Sequence, residues 1–458
     1  MSLRIRKSDL NRRFTKLAII ICLVGFSFPI YGLPGVGGLK LTFWRLGLVL
    51  LIVIVLFMGL RLQSKLALVS LGFGGAFIVI RLASYLFSTT EDRNVTQLVW
   101  FVEGFIYLFI ITILASHYAW MPNFYLKALF FIGFASIGLM ALQYLFLQRG
   151  ILLTLPFSDT AFGISSSLRP WTYPLGGSGR ILGAFYEPNM SGSMCAFYVA
   201  AFAPFLLAPR HHSFIRRPLW IGVLLTITLI SLFATGSRQS LVAVAITGFL
   251  IGIVAMLRGG YTLQKAILWL CLAMIAFSAI IVINLRQPLE TPFGETQMNI
   301  LARITLDAGG DITGGRLYWI QELIEGVTPY IAIFGVGEGA GILTAHNAFL
   351  IVFNQNGVFG LLLLMLFAFG LFFASVRLTL SQRPSLIFFS GIASICIVAT
   401  WIGLIFMNWA QLNQSLSFMY LAIPFLVFTA AQQTRIESMP ALLGGASVNV
   451  VHAELPVC

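Results

Sequence analysis

Three arginines, a histidine and a short Glu-Pro-Asn run are the side chains in this sequence best suited to chemistry. His346 stands in GEGAGILTAHNAFLIVF, where a long polar loop gives way to an apolar run. A helix N-terminus disfavours the imidazolium, so a histidine there stays neutral and can take a proton from a hydroxyl. The plainer reading is an interfacial helix cap. Arg238 lies in ATGSRQS between two apolar runs. It is either an anion clamp, with Gly236 and Ser237 admitting close backbone approach, or an arginine reaching to lipid headgroups. Arg316 follows Gly314 and Gly315 at the start of an amphipathic stretch. Glycines, an arginine and a helix N-terminus suit an anion, although a surface-helix arginine would look the same. Arg180 and Glu187–Asn189, in SGRILGAFYEPNMSG, close another long loop. Pro188 fits a first helical turn, and Glu187 or Asn189 either caps that helix or hydrogen-bonds a sugar. Asn347, beside His346, joins the candidate substrate contacts.

Other signals are weaker or negative. Arg81 and Glu103 sit within apolar runs at similar depth and could face each other, as a structural ion pair or as part of a site. His211 and His212 lie in a basic loop, His452 in the tail and His117 near a membrane face. The series Gly335, Gly337, Gly339, Gly341 lacks the strand–turn–helix setting of a dinucleotide site. There is no Walker A, HExxH, CxxC or Asp-x-Asp motif. Glu91–Asp92 is the one acidic pair among the outer segments, so the expectation is no metal and no cofactor.

What must position these residues is a membrane-embedded body. Of 458 residues, 59% are hydrophobic and 9% charged, against roughly 25% charged in soluble domains. Disordered, fibrous and disulfide-rich secreted classes are excluded. The sequence predicts an all-α polytopic protein with about twelve spans of ~20 residues each: Thr15–Gly32, Thr42–Leu60, Lys65–Phe87, Asn94–Trp120, Phe124–Leu147, Pro188–Leu207, Leu219–Ala234, Ser240–Leu257, Ala266–Leu285, His346–Val376, Leu386–Met407 and Asn413–Ala430. With the N-terminus inside, the inner connections hold Arg4, Arg6, Lys7, Arg12, Arg13, Lys16, Arg61, Lys65, Lys127, Arg210, Arg216, Arg217, Arg258, Lys265, Arg377, Arg383 and Arg435, but only Asp9, Glu437 and Glu454 as acids. The net charge of +13 is then mostly the positive-inside rule, not a nucleic-acid footprint. Both termini are expected in the cytoplasm, the first span acting as an uncleaved signal anchor. No disulfide is expected, because Cys22, Cys195, Cys271 and Cys396 lie in spans and Cys458 ends the chain.

Two outer loops, 148–187 and 286–345, are long enough to need a function. The second, between spans nine and ten, should carry an amphipathic helix over Gly315–Gly326, with Leu317, Ile320, Leu323 and Ile324 on one face and Trp319 at headgroup level. Residues 1–431 form one transmembrane domain, and 432–458 a cytoplasmic tail expected to be disordered.

Four pieces, in order, resemble the O-antigen ligase and polymerase superfamily of bacterial envelope proteins: GAFYEPNMSG, TGSRQS, TGGRLYWIQ and FGVGEGAGILTAHNAFLIVFNQNGVFGLLLL. They span roughly residues 180–370; elsewhere the likeness is one of hydropathy and topology. The resemblance implies an inverting glycosyltransferase in the bacterial inner membrane, its active site facing the periplasm. It implies a glycan donor on undecaprenyl diphosphate and either a glycan or lipid A–core as acceptor, with membrane lipids and chain-length regulators or assembly proteins as further partners. Carried over by motif, Arg238 and Arg316 would hold the diphosphate and His346 would activate the acceptor hydroxyl. That agrees with the chemistry of a departing diphosphate, which needs positive charge. The rival reading is a transporter or flippase for polysaccharide or lipid-linked sugar. It calls for polar groups at mid-membrane and broken helices; only Arg81, Glu103 and the Asn354/Asn356 break lie deep.

Overall fold

The computed structural model describes residues 2–28, 32–36, 39–88, 96–147, 154–156, 168–170, 172–173, 180–181, 185, 188–209, 213–215, 218–258, 321, 325–337, 347–382, 385–407, 412 and 415–442. The described chain is predominantly helical. Helix α1 (Ser2–Ser27) leads through an antiparallel hairpin, β1 (Gly32–Val36) and β2 (Leu39–Thr42), into α2 (Phe43–Met58), α3 (Lys65–Leu86), α4 (Thr96–His117) and α5 (Met121–Leu147). Two small antiparallel pairs follow: β3 (Thr154–Pro156) with β4 (Leu168–Pro170), and β5 (Thr172–Tyr173) with β6 (Arg180–Ile181). Then come α6 (Pro188–Phe202), α7 (Pro218–Thr235), α8 (Arg238–Arg258), the short α9 (Pro329–Phe334), α10 (Ala348–Leu380), α11 (Leu386–Met407) and α12 (Ser415–Leu442).

Six of these helices (α3, α4, α5, α10, α11 and α12) are long and apolar enough to cross a membrane, and α2, α7 and α8 are shorter apolar helices. The chain is a multi-pass membrane protein. Each predicted range except the ninth overlaps a described helix; 266–285 lies outside the described residues. Burial ranks the helices. In α11 and α12, 72% and 83% of the apolar window is enclosed, against 33% in α3 and α10, so the first two form the centre and the others the rim. Helix α11 packs on α6, α8, α10 and α12, and α12 packs on α4.

The bundle has two unlike ends. At the basic end, Arg12, Arg13, Arg61, Lys65, Lys127 and Arg377 are exposed. Lys16 lies over Trp120 and Phe124, 5.2 Å from each ring centre, and Arg12 lies 5.4 Å from that of Trp120. Such amphipathic belts suit a membrane boundary. At the other end, here the loop end, α3 and α5 finish and α6 and α8 begin.

Three features depart from the sequence reading. Helix α12 continues to Leu442, past residue 431 where a disordered tail was expected. Polar residues hold its extension: Gln433 Nε2 donates to the carbonyls of Ala115 and Ser116, and Gln432 Nε2 to that of Gln63. The Gln433 contacts satisfy carbonyls at the C-terminus of α4, which has no helical partner for them.

The second departure is in α10. An uninterrupted helix would hold Phe349 and Phe369 about 30 Å apart, yet their rings stack with centroids 6.5 Å apart. Val352 Cγ1 also lies 3.6 Å from where a Cβ of Gly360 would stand. The helix therefore turns back on itself. The vertex is Gly357, whose φ of 66° and ψ of −169° are non-helical; glycine takes a positive φ without steric cost. Two arms result, 348–356 and 358–380.

Third, Glu103 pairs with Arg45 of α2, with Nε–Oε1 at 2.9 Å and Nη2–Oε2 at 3.2 Å. Arg81 is buried instead between Phe77 and Phe101, 5.5 and 5.1 Å from their ring centres. Phe101 and Glu103 are two residues apart on α4, so they point to nearly opposite sides of the helix. Arg81 meets the first side and α2 the second. Equal depth in the sequence did not determine the face.

Candidate functional site at the loop end

Two of the motif segments meet where α6 and α8 start. Pro188 opens α6, and Asn189 lies in its first turn, its carbonyl accepting from Ser193 Oγ at 2.8 Å. One turn on, Gly192 leaves room for α8: a Cβ there would overlap Ser237 and Ser240. Those two hydroxyls bond each other at 2.8 Å. The chain reaches this point from α7 through Gly236, whose φ of 60° makes the left-handed helix end that favours glycine. Thr235 Oγ1 donates to the Leu232 carbonyl and accepts from the Ser237 amide. The first turn of α6, with Asn189, thus lies against the turn that starts α8 at Arg238. Strand β6, which begins at Arg180, rests on α5, α6 and α7, with Ile181 and Phe185 fully buried beside it.

Below this junction α8 lies along α11. Thr247 Oγ1 and Thr400 Oγ1 are 3.0 Å apart, and Ile246 faces Gly403. Gln239, Ala243 and Thr247 recur at the spacing of one helical face, and all three are buried. The Nε2 atom of Gln239 is buried with no hydrogen-bond partner, as is Nε1 of Trp401, the residue after Thr400 on α11. Sequence reasoning passed over Gln239 in favour of its charged neighbour. The signal was available: four and eight residues before Ala243 and Thr247, it falls on the apolar-facing stripe of α8.

The vertex of α10 forms a second loop-end junction. The carbonyls of Asn354 and Gln355, freed by the break, accept from the amides of Val336 (2.8 Å) and Gly337 (3.0 Å). Ser84 Oγ, near the end of α3, donates to the Gln355 carbonyl at 2.6 Å, and Ser88 Oγ to that of Val336 at 3.2 Å. Side chains on Gly335 or Gly357 would overlap the Gln355 and Ile333 carbonyls. Part of the glycine series thus seals a broken helix. Asn347 is the N-cap of α10; its Oδ1 accepts from the amides of Phe349 (3.0 Å) and Leu350 (3.2 Å). Phe349 packs on Phe406 in the last turn of α11, with centroids 6.3 Å apart.

His346, Arg316 and Glu187 lie outside the described residues, as does most of the expected amphipathic helix; Gln321 and Glu325 are helical, joined by a 2.7 Å hydrogen bond. For Arg180 and Arg238 the backbone is described. Among the described residues no group of three His, Cys, Asp or Glu side chains could hold a metal ion. Cys22, Cys195 and Cys396 are buried free thiols. No protein-family model matches this chain, and no characterised protein is significantly similar to it in sequence.

Proposed function

We propose that this protein is a membrane glycosyltransferase with about twelve spans and both termini in the cytoplasm. It would move a glycan from undecaprenyl diphosphate to an acceptor sugar hydroxyl at the outer face of a bacterial inner membrane. The observation that carries the reading is the meeting of the first turns of α6 and α8, which brings the segment at Asn189 to the one at Ser237 across 47 intervening positions of sequence. Two helix N-termini at one place favour negative charge. The basic residues at the other end of the bundle support placing this end outside.

In the proposed reaction the acceptor oxygen attacks the anomeric carbon from the face opposite the diphosphate. The carbon–oxygen bond to the diphosphate breaks and its electron pair leaves with the phosphate oxygen. His346 takes the hydroxyl proton. Arg238 and Arg316 neutralise the departing diphosphate, the role that a divalent metal fills elsewhere. Arg180, Glu187, Asn189 and Asn347 are proposed sugar or diphosphate contacts. A single displacement inverts the anomeric centre.

One observation favours the second reading, a transporter or flippase: α10 is broken and folds back, as helices at transporter binding sites do. Purified protein incubated with a lipid-linked glycan and candidate acceptors separates the two. New glycosidic product supports transfer, on lipid A–core for a ligase and as a ladder on the lipid carrier for a polymerase. Unchanged glycan that has crossed a vesicle membrane supports transport.

A further inference from the structure

The unmet hydrogen-bond donor at the start of α8 calls for a ligand. Gln239 is 6% exposed, and its Nε2 has no hydrogen-bond partner. Buried polar groups in folded proteins are almost always satisfied, and an exception asks for an explanation. The nearby hydroxyls are already engaged: Ser237 with Ser240, Ser193 with the Asn189 carbonyl, and Thr235 with the Leu232 carbonyl.

Geometry sets where the amide points. Helical side chains lean toward the N-terminus of their own helix. A residue in the first turn of α8 therefore projects past the end where helical N–H groups have no intrahelical acceptor. The long α8, Arg238–Arg258, adds the positive end of its dipole there. A carboxamide nitrogen offers two donors and no acceptor. The unmet Nε2 donor, the helix end and its dipole together favour an anionic acceptor, namely a phosphate oxygen.

We propose that the Gln239 side-chain amide is a further hydrogen-bond donor to the diphosphate of the lipid-linked substrate, reading its oxygens beside Arg238. The proposal rests on the glycosyltransferase reading above and adds to it a neutral contact that the motif resemblance does not assign. It also accounts for a polar amide on a helix that packs against α11 through Ile246 and Thr247.

The test uses the full-length purified chain and undecaprenyl diphosphate as the probe, with affinity and thermal unfolding measured for Gln239→Met, Gln239→Glu and Arg238→Ala. Gln239→Met keeps the length and removes the donors. It should leave the ligand-free unfolding temperature equal or higher, since an unmet polar group is gone, while affinity falls about tenfold to hundredfold, the worth of one hydrogen bond to a charged group. Gln239→Glu should bind more weakly still, because it sets like charges together. Unchanged affinity in Gln239→Met beside a loss in Arg238→Ala overturns the assignment of Gln239 and leaves the proposed function standing. A Gln239→Met variant that loses stability and affinity together overturns it too, since the amide would then be structural. Undiminished affinity in all three variants overturns both this proposal and the function on which it rests.

Discussion

At the scale of single residues, the proposed acid–base and clamp roles separate in their kinetics. His346→Ala should lower turnover by ~10²–10⁴-fold, the usual worth of a general base, with affinity for undecaprenyl diphosphate retained. Arg238→Ala and Arg316→Ala should weaken both, because a clamp holds the bound diphosphate as well as the departing one. Lysine in either place should recover only part of the loss, lacking the bidentate fork of arginine. Steady-state rates set beside binding measurements check this; near-normal turnover in His346→Ala would take the base role from that histidine, which precedes the N-cap Asn347. The Arg45–Glu103 pair gives a second, independent expectation. Glu103→Leu should destabilise the protein by about 1–3 kcal/mol, because it removes the carboxylate that faces a partly buried guanidinium. Adding Arg45→Leu should recover most of that loss, and a double-mutant cycle of unfolding temperatures measures the coupling. The types of these residues could be read in the sequence. Their faces could not: Glu103 and Arg81 share a depth, and only the rotation of α4, fixed by packing around Phe101, sends Glu103 to Arg45. Gln239 shows the converse limit. Its place on the buried stripe of α8 follows from periodicity, but its unmet donor depends on which neighbouring hydroxyls are already engaged.

At the scale of elements, hydropathy located the helices well because lipid demands long apolar runs whose backbone polar groups are satisfied internally. It missed the reversal of α10 because both arms are apolar, and hydropathy alone reads the two as one long run. The asparagine–glycine run marked a break but not its angle, which depends on the Val336 and Gly337 amides arriving from a segment distant in sequence. The reversal predicts a cross-link. With cysteines at Phe349 and Phe369, a short bifunctional thiol reagent should join the two sites within one chain, detected by mass spectrometry of the digested protein. A continuous helix would keep them about 30 Å apart and give none. The junction should also be intolerant of side chains. Gly357→Ala forces a Cβ into the Ile333 carbonyl at a positive φ and should cost on the order of 2–4 kcal/mol, seen as a lowered unfolding temperature. Ser84→Ala removes one hydrogen bond to the Gln355 carbonyl and should cost about 1 kcal/mol.

At the scale of the whole molecule, charge and burial describe a bundle with one basic boundary and one end where two of the motif segments meet. Helix α11 links the parts: it lies against α6 and α8 on one side and against the folded α10 on another, so its loop end adjoins both junctions. The first turn of α6 meets the start of α8 at Gly192, where two helices approach too closely for any side chain. The central claim is transfer by protein side chains without a metal. Its most direct test is the purified protein in detergent micelles with EDTA, an undecaprenyl-diphosphate-linked glycan and an acceptor sugar, with the released undecaprenyl diphosphate and the new glycosidic product both quantified. Micelles have no second compartment, so transport cannot register. Equal amounts of the two products, formed with inversion at the anomeric carbon, are expected. Donor recovered intact in micelles, while the same preparation in vesicles carries the glycan across the membrane, would contradict that claim.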